Sequence, residues 1–353
     1  TVAGGSKTSD ADRSVFYERA EGLLDHLVQI DPRRHDTRGA LARLYLNTGR
    51  PKVARRAFRE AFDCDPKAEY WVGIGHAYIA ENQPDRAASV FEDLYRKAPK
   101  ESAQYPRIVF ELGRLYRSLG RVSEARTIYE DASEAHPARM MYRFELGRTH
   151  VMGKDWEGAR RLFQGLLGEA EDNPRLFARV LFNLGLTNER TGRFDDSVEI
   201  FQRLLALEPD NHEALNYLGY MLAEKGLRLG EAENLVGRAL KAQPENGAYL
   251  DSMGWIRYQQ AQYREARTYL GRALAVEEAE FKAAEGAWQR ANLAENLAVI
   301  HDHAGDVAKA LGDLEGARRH WKRAAKLNPE DGAIRSKLDG SADPSTDDPA
   351  DAE

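Results

Sequence analysis

A single cysteine, Cys64, stands among 353 residues. That scarcity excludes a disulfide framework and any cysteine-rich zinc module. The residue lies in the segment AFDCDP, near the end of a predicted helix, where a half-buried and inert thiol is expected. No apolar run reaches the roughly 18 residues that a spanning helix needs, so no transmembrane segment is expected. Excess positive charge is missing too. The formal net charge is −6, and six acids without a Lys or Arg crowd into residues 339–353. Without them the chain is formally neutral. This argues against nucleic acid as a partner, because phosphate-backbone binding needs a basic surface.

Signatures of chemistry are equally scarce. HExxH, GxGxxG and GxxxxGK[ST] do not occur, nor does a serine or cysteine nucleophile motif. Gly4-Gly5-Ser6-Lys7 lacks the glycine spacing and the preceding strand of a phosphate loop. His301 and His303 flank Asp302, but residues two apart on a helix point to different sides, whereas helical metal ligands sit three or four apart. The carboxylates are numerous and spaced as on solvated helix faces. No catalytic, metal or cofactor residues are assigned, and the chain reads as a non-enzyme.

What is present is a repeat of about 34 residues. Ala42, Gly75, Gly113, Gly147, Gly185, Gly219, Gly254 and Gly305 share one position. A second small residue follows each: Ala54, Ala87, Ala125, Ala159, Ser197, Ala232, Ala266 and Ala317. Four further on comes a large apolar one: Phe58, Phe91, Tyr129, Phe163, Phe201, Val236, Leu270 and Trp321. Pro66, Pro99, Pro137, Pro209, Pro244 and Pro329 then close most units, because proline cannot continue a helix. The small–aromatic–proline pattern resembles the tetratricopeptide repeat (TPR). The resemblance spans residues 13–331 and implies helical hairpins that bury their apolar faces only by stacking. The expected fold is all-α, a right-handed TPR superhelical solenoid of about eight to nine hairpins.

Boundaries follow from breaks in the pattern. Residues 1–12 read as a flexible lead, 13–338 as one solenoid, and 339–353 as an acidic disordered tail. Residues 13–32 supply the second half of a repeat, and eight fuller repeats start near 35, 68, 106, 140, 178, 212, 247 and 298. Gly49, Gly120, Gly192 and Gly312 mark left-handed turns inside hairpins. Extra residues lengthen the junctions at 102–105 and 172–177. In KGLRLGEA, Leu227 and Leu229 are expected to cap a hairpin. Residues 275–297 lack proline and consist of good helix formers. They read as a long extension of the last repeat's first helix, broken at most near Gly286. Gly332–Leu338 is expected to add a capping helix.

A narrower likeness covers residues 213–266 and 305–331, which resemble a module of bacterial multi-TPR proteins. Many of that group are exported lipoproteins, and some are adaptors for processing proteases or envelope assembly machines. The likeness implies a bacterial periplasmic or outer-membrane-associated protein, with the cytoplasm as the alternative. The chain starts at Thr1 without methionine, which fits either a removed leader, with room for a lipid anchor, or a trimmed chain.

In the TPR family, positions five, nine and twelve of each first helix line the concave surface. Here they give Phe110/Arg114/Arg117, Phe144/Arg148 and Phe182 in the middle repeats. Asn216/Tyr220 and Asp251/Trp255/Tyr258 follow, and Asp302 and Asp306 close the series. Aromatics and arginine are what interface centres favour, so these residues form the candidate binding groove. For Phe110, Phe144 and Phe182, inter-hairpin core is a second reading. The small residue at position eight is expected to face the neighbouring hairpin. Function reads as a scaffold or adaptor that binds a protein or peptide. The alternative is a self-assembling structural scaffold forming homo-oligomers through the groove or repeat ends.

Overall fold

The computed structural model describes residues 10–284 and 286–340. The expected tail beyond 340 and the lead before 10 lie outside the described residues. The expected lead ran to residue 12, but helix begins at Asp10. The chain divides into two compact units, Thr1–Gly153 and Lys154–Glu353. Among the described residues all regular structure is helical, a helical repeat solenoid.

The N-terminal unit holds α1 (Asp10–Ile30), α2 (His35–Asn47), α3 (Pro51–Cys64), α4 (Ala68–Ala80), α5 (Pro84–Lys97), α6 (Tyr105–Ser118), α7 (Val122–Ala135) and α8 (Met140–Met152). The C-terminal unit holds α9 (Trp156–Leu166), α10 (Pro174–Arg190), α11 (Phe194–Leu207), α12 (His212–Glu224), α13 (Leu229–Ala242), α14 (Gly247–Gln259), α15 (Tyr263–Ala283), α16 (Ala287–Ala310), α17 (Leu314–Leu327) and α18 (Gly332–Asp339). The pairs α2/α3, α4/α5, α6/α7, α10/α11, α12/α13, α14/α15 and α16/α17 are antiparallel hairpins.

Each hairpin closes on a position-eight contact. A Cβ built on Gly75 would lie 2.4 Å from the Phe91 ring, one on Gly113 2.4 Å from Tyr129, and one on Gly305 2.3 Å from Trp321. The glycine therefore admits the large side chain of its own hairpin's second helix, not the neighbouring hairpin as expected. The second small position is sealed as well: Ala54, Ala87, Ala125, Ala159, Ala232, Ala266 and Ala317 have no exposure. Ser197 takes the same place, and its hydroxyl donates to the Gly185 carbonyl at 2.7 Å, so the burial of a polar group is compensated.

The turns need a left-handed residue. Gly49, Gly120, Gly192, Gly226 and Gly312 supply it, and so do Asn82, Lys154, Arg228 and Ala261, where a side chain pays the steric cost. Leu227 is 48% exposed, so its side chain is not the buried hairpin cap expected. Cys64 is exposed, contrary to the half-buried expectation.

The segment 275–297 is divided between two helices. Its first part continues α15, the second helix of the preceding hairpin, and only the part from Ala287 on extends α16. Glu277 fastens the α15 extension. It is buried, and its Cγ and Oε1 would lie 2.6 Å from a Cβ on Gly247, the first residue of α14. Burial pushes its carboxyl up, and Glu280 adds to that.

Candidate protein-binding surface

Position six organises the polar chemistry of the first helices. Counting repeats from their starts, position six reaches back to position five, nine or twelve of the preceding first helix. Glu111 on α6 meets His76 on α4 at 3.0 Å, and Glu145 on α8 meets Arg117 on α6 at 2.7 Å. The Tyr217 hydroxyl on α12 donates to Glu189 on α10 at 3.1 Å. His303 on α16 meets Asp251 on α14 at 2.9 Å. Lys337 on α18 meets Asp302 at 2.7 Å and Asp306 at 2.8 Å. Within each unit the candidate stripe is thus cross-braced between successive first helices by complementary chemistries.

In the N-terminal unit, Arg114 pairs with Glu111 at 2.7 Å and Arg148 with Glu145 at 3.2 Å, each three residues back. The Arg114 side chain remains 67% exposed and that of Arg148 43%. Arg117 is largely covered and lies over the Tyr129 ring. Burial raises the Glu111 carboxyl, but hydrogen bonds and charges from His76 and Arg114 outweigh it and hold the group low. Three arginines against Glu111 and Glu145 leave this face positive.

The three phenylalanines differ. Phe110 is half-buried, its ring 5.3 Å from that of Tyr142. Phe182, in the C-terminal unit, is half-buried 5.6 Å from Phe201. Phe144 is fully buried and belongs to the core, so it is removed from the expected groove. Position five simply points more inward on α8.

The C-terminal unit gathers a denser cluster. Trp255 stacks on Tyr258 at 4.8 Å and on His303 at 4.2 Å, with interplanar angles of 14° and 18°. Tyr220 lies 6.3 Å from His303. Asp251 is buried against His303 and is no free groove carboxylate, which corrects the expectation. Burial disfavours the charged imidazole of His303, but the adjacent Asp251 more than offsets it and the pKa is raised. Among the described residues, Trp255 Nε1 and Asn216 Oδ1 are buried atoms without a hydrogen-bond partner. His301 turns to the other side, its Nδ1 3.0 Å from that of His320. The two histidines of the His-Asp-His run therefore serve different helices, as their spacing implied.

A family model described as the tetratricopeptide repeat matches residues 40–102, 110–174 and 182–247, more than half of the chain. A TPR repeat-containing protein of Pseudomonas aeruginosa is 32% identical over 201 residues, covering 56% of this chain and 32% of its own length. Lipopolysaccharide assembly protein B of Escherichia coli is 25% identical over 146 residues, 40% of this chain and 35% of the relative. The chain thus spans about a third of the length of these curated relatives. Among solved structures, a tetratricopeptide repeat protein of Parabacteroides merdae superposes with a TM-score of 0.56 at 16% identity. It covers 77% of this chain and 98% of that one. That likeness speaks for the fold alone. No helix among the described residues is long and apolar enough to cross a membrane.

Proposed function

Because the chain belongs to the tetratricopeptide-repeat family, whose repeats mediate protein–protein interactions, we propose that it is a non-enzymatic scaffold binding a partner protein along its first helices. The observation that carries this reading is the Tyr258–Trp255–His303 stack, an area of rigid aromatic surface. Interfaces draw most of their energy from such anchors. The exposed Arg114 and Arg148 form the corresponding surface of the N-terminal unit. The likeness to lipopolysaccharide assembly protein B supports a role in bacterial envelope assembly. The lipoprotein and periplasmic setting belongs to the same proposal.

A photo-crosslinking amino acid at Tyr258 or Arg114, in the native host, is expected to trap one envelope protein. The same probe at Lys241, exposed on α13, is expected to trap none. Trp255→Ala should then weaken the captured partner by ~2 kcal/mol or more. Adducts confined to Lys241 would move binding off the first helices, and no adduct at any site would remove the scaffold reading.

A second reading, self-assembly, is favoured by α1. In α3 the residues Ala54, Ala57, Phe58 and Ala61 are all buried by the hairpin. Their counterparts on α1 are Ala20, Leu23, Leu24 and Leu27, and Leu23 and Leu27 are 67% and 40% exposed. Phe16 and Ile30 extend that apolar stripe. Light scattering of the full chain should show an oligomer that Leu23→Glu with Leu27→Glu dissociates. A monomer at every concentration would end this reading.

A further inference from the structure

The acidic end of the C-terminal unit already holds a cation. The Lys337 ammonium donates to both oxygens of Asp302 at 2.8 and 2.7 Å and to Asp306 at 2.8 Å. Two carboxylates on one ammonium leave the place net negative. Tyr258 is near enough for Asp306 to push its hydroxyl up and Lys337 to pull it back, after burial, the largest influence. Beside it stand Trp255 and His303 as stacked plates. Carboxylates plus aromatic faces are the chemistry that selects a Lys or Arg side chain.

Lys337 differs from the other residues at position six. His303 and Tyr217 sit on first helices that are followed by a second helix of their own. Lys337 sits on α18, eight residues long, which rests on α17 through Ile334 in the Trp321 cluster and starts on an Asp331 cap. A short helix with few buried contacts lies at the low-stability end of a fold. It is the brace most readily exchanged for an outside group.

We propose that the face formed by α14 and α16 takes a lysine or arginine side chain of the partner protein at Asp302 and Asp306, beside Tyr258 and Trp255, and that Lys337 of α18 is its internal competitor. This rests on the reading of the first helices as the binding surface. It adds the chemistry of the occupant and a built-in threshold. A partner binds with an affinity reduced by the fraction of molecules in which Lys337 has vacated the carboxylates.

The test uses the full chain and a fluorescein-labelled Gly/Ser peptide with one central lysine between two leucines. Versions with arginine, norleucine or glutamate at the centre serve as comparisons, read by anisotropy at low salt. Lys337→Met keeps the aliphatic stem and removes the ammonium. It is expected to tighten the lysine and arginine peptides about tenfold, leaving the norleucine peptide unchanged. Asp302→Asn with Asp306→Asn, in the Lys337→Met background, is expected to erase the preference for lysine over norleucine. Circular dichroism and the melting curve of each variant report whether α18 stays folded. If Lys337→Met leaves lysine-peptide affinity unchanged, or if no variant binds the lysine peptide, the proposal is overturned. If all peptides bind equally and Trp255→Ala weakens them all, the cation is overturned while the first helices remain the binding surface.

Discussion

The two units build the same hairpins from different helix starts. In the N-terminal unit the residues before α2 to α8 are Arg34, Arg50, Lys67, Gln83, Gln104, Arg121 and Arg139, and none caps its helix with a side-chain hydrogen bond. In the C-terminal unit Asp155, Asn173, Asn211, Asn246, Asp313 and Asp331 each accept from a first-turn N–H, whereas Arg193, Arg228, Gln262 and Gly286, before α11, α13, α15 and α16, make no side-chain cap. Cations before a helix also oppose its dipole. Proline partly compensates: α3, α5 and α6 each have one in the first two positions, where its fixed φ suits a helix and its missing N–H costs nothing. The N-terminal unit therefore depends more on packing to define its helices, and the C-terminal unit more on local chemistry. The sign of the first-helix face differs in parallel, positive around Arg114 and Arg148, negative around Asp302 and Asp306.

The largest effect that would sharpen this contrast comes from core truncation. Phe91 and Phe201 fill the same position in the two units and are both fully buried. Replacing either by alanine should cost ~3–5 kcal/mol. Hydrogen exchange resolved by peptide is expected to show each loss mainly in its own unit, with the N-terminal unit exchanging faster even in the unaltered chain. Equal acceleration of both units by either variant would mean that they unfold as one, and the contrast in caps would lose its consequence.

Caps come next. Asn246→Ala and Asn211→Ala should each destabilise the C-terminal unit by ~1 kcal/mol. Arg139→Asn should stabilise the N-terminal unit by a similar amount, because Arg139 has φ −90° and ψ 82°, close to the conformation of the Asn173 cap. Thermal melts of the three variants check the pair of signs. If Arg139→Asn lowers stability, packing has fixed the α8 start in a geometry that a side-chain acceptor cannot use. Smaller still is Ala261→Gly, at φ +59°. Relief of the left-handed conformation is worth ~1–2 kcal/mol, against an entropy cost for glycine of ~0.5–1 kcal/mol. A gain of a few tenths is expected, and a loss in the melt would show that the Ala261 methyl packs usefully.

Much of the hairpin architecture was legible because it is written in steric necessities: glycine under an aromatic ring, a left-handed turn, proline after a second helix. The segment 275–297 was not, because Ala, Glu, Lys and Leu favour helix without saying which helix they extend. What divides it is tertiary. Glu277 is buried against Gly247, and the Arg290 side chain donates to the Ala284 carbonyl at 2.6 Å, tying the break together. The stripe at positions five, nine and twelve was readable, but its partners at position six lie on the next repeat, beyond the reach of helical spacing within one helix. The signal was present as opposite chemistries on successive first helices, His76 with Glu111 one repeat on and Asp251 with His303 across the lengthened junction. Phe110 and Phe144 share a position and differ in burial, a difference that depends on how each helix is rotated against its neighbours and so is invisible to spacing.

The smallest expected effect is a pH response, small because two terms oppose each other. Burial, and then the neighbouring His320 and Arg323, pull His301 down to about 4, and burial also lowers His320. The unfolded chain then binds more protons than the folded one below the ordinary imidazole value of ~6.5. That contribution is present above this value and is lost as pH falls toward about 4. His303 has the opposite sign. Its raised pKa contributes stability that is fully present below the ordinary imidazole value and is lost as pH rises through the folded one. The C-terminal unit should therefore be most stable at an intermediate pH near neutrality. The N-terminal unit should hold until the carboxylate range, where protonation of Glu111 removes its paired charge. His303→Gln should abolish only the loss on the alkaline side, and His301→Gln with His320→Gln only that on the acid side. Urea melts between about pH 5 and pH 8, with hydrogen exchange to assign the unit, check the signs. A C-terminal unit whose stability falls steadily with rising pH would mean that His303 alone sets the response, and that the His301–His320 pair accepts a proton in the fold as readily as out of it.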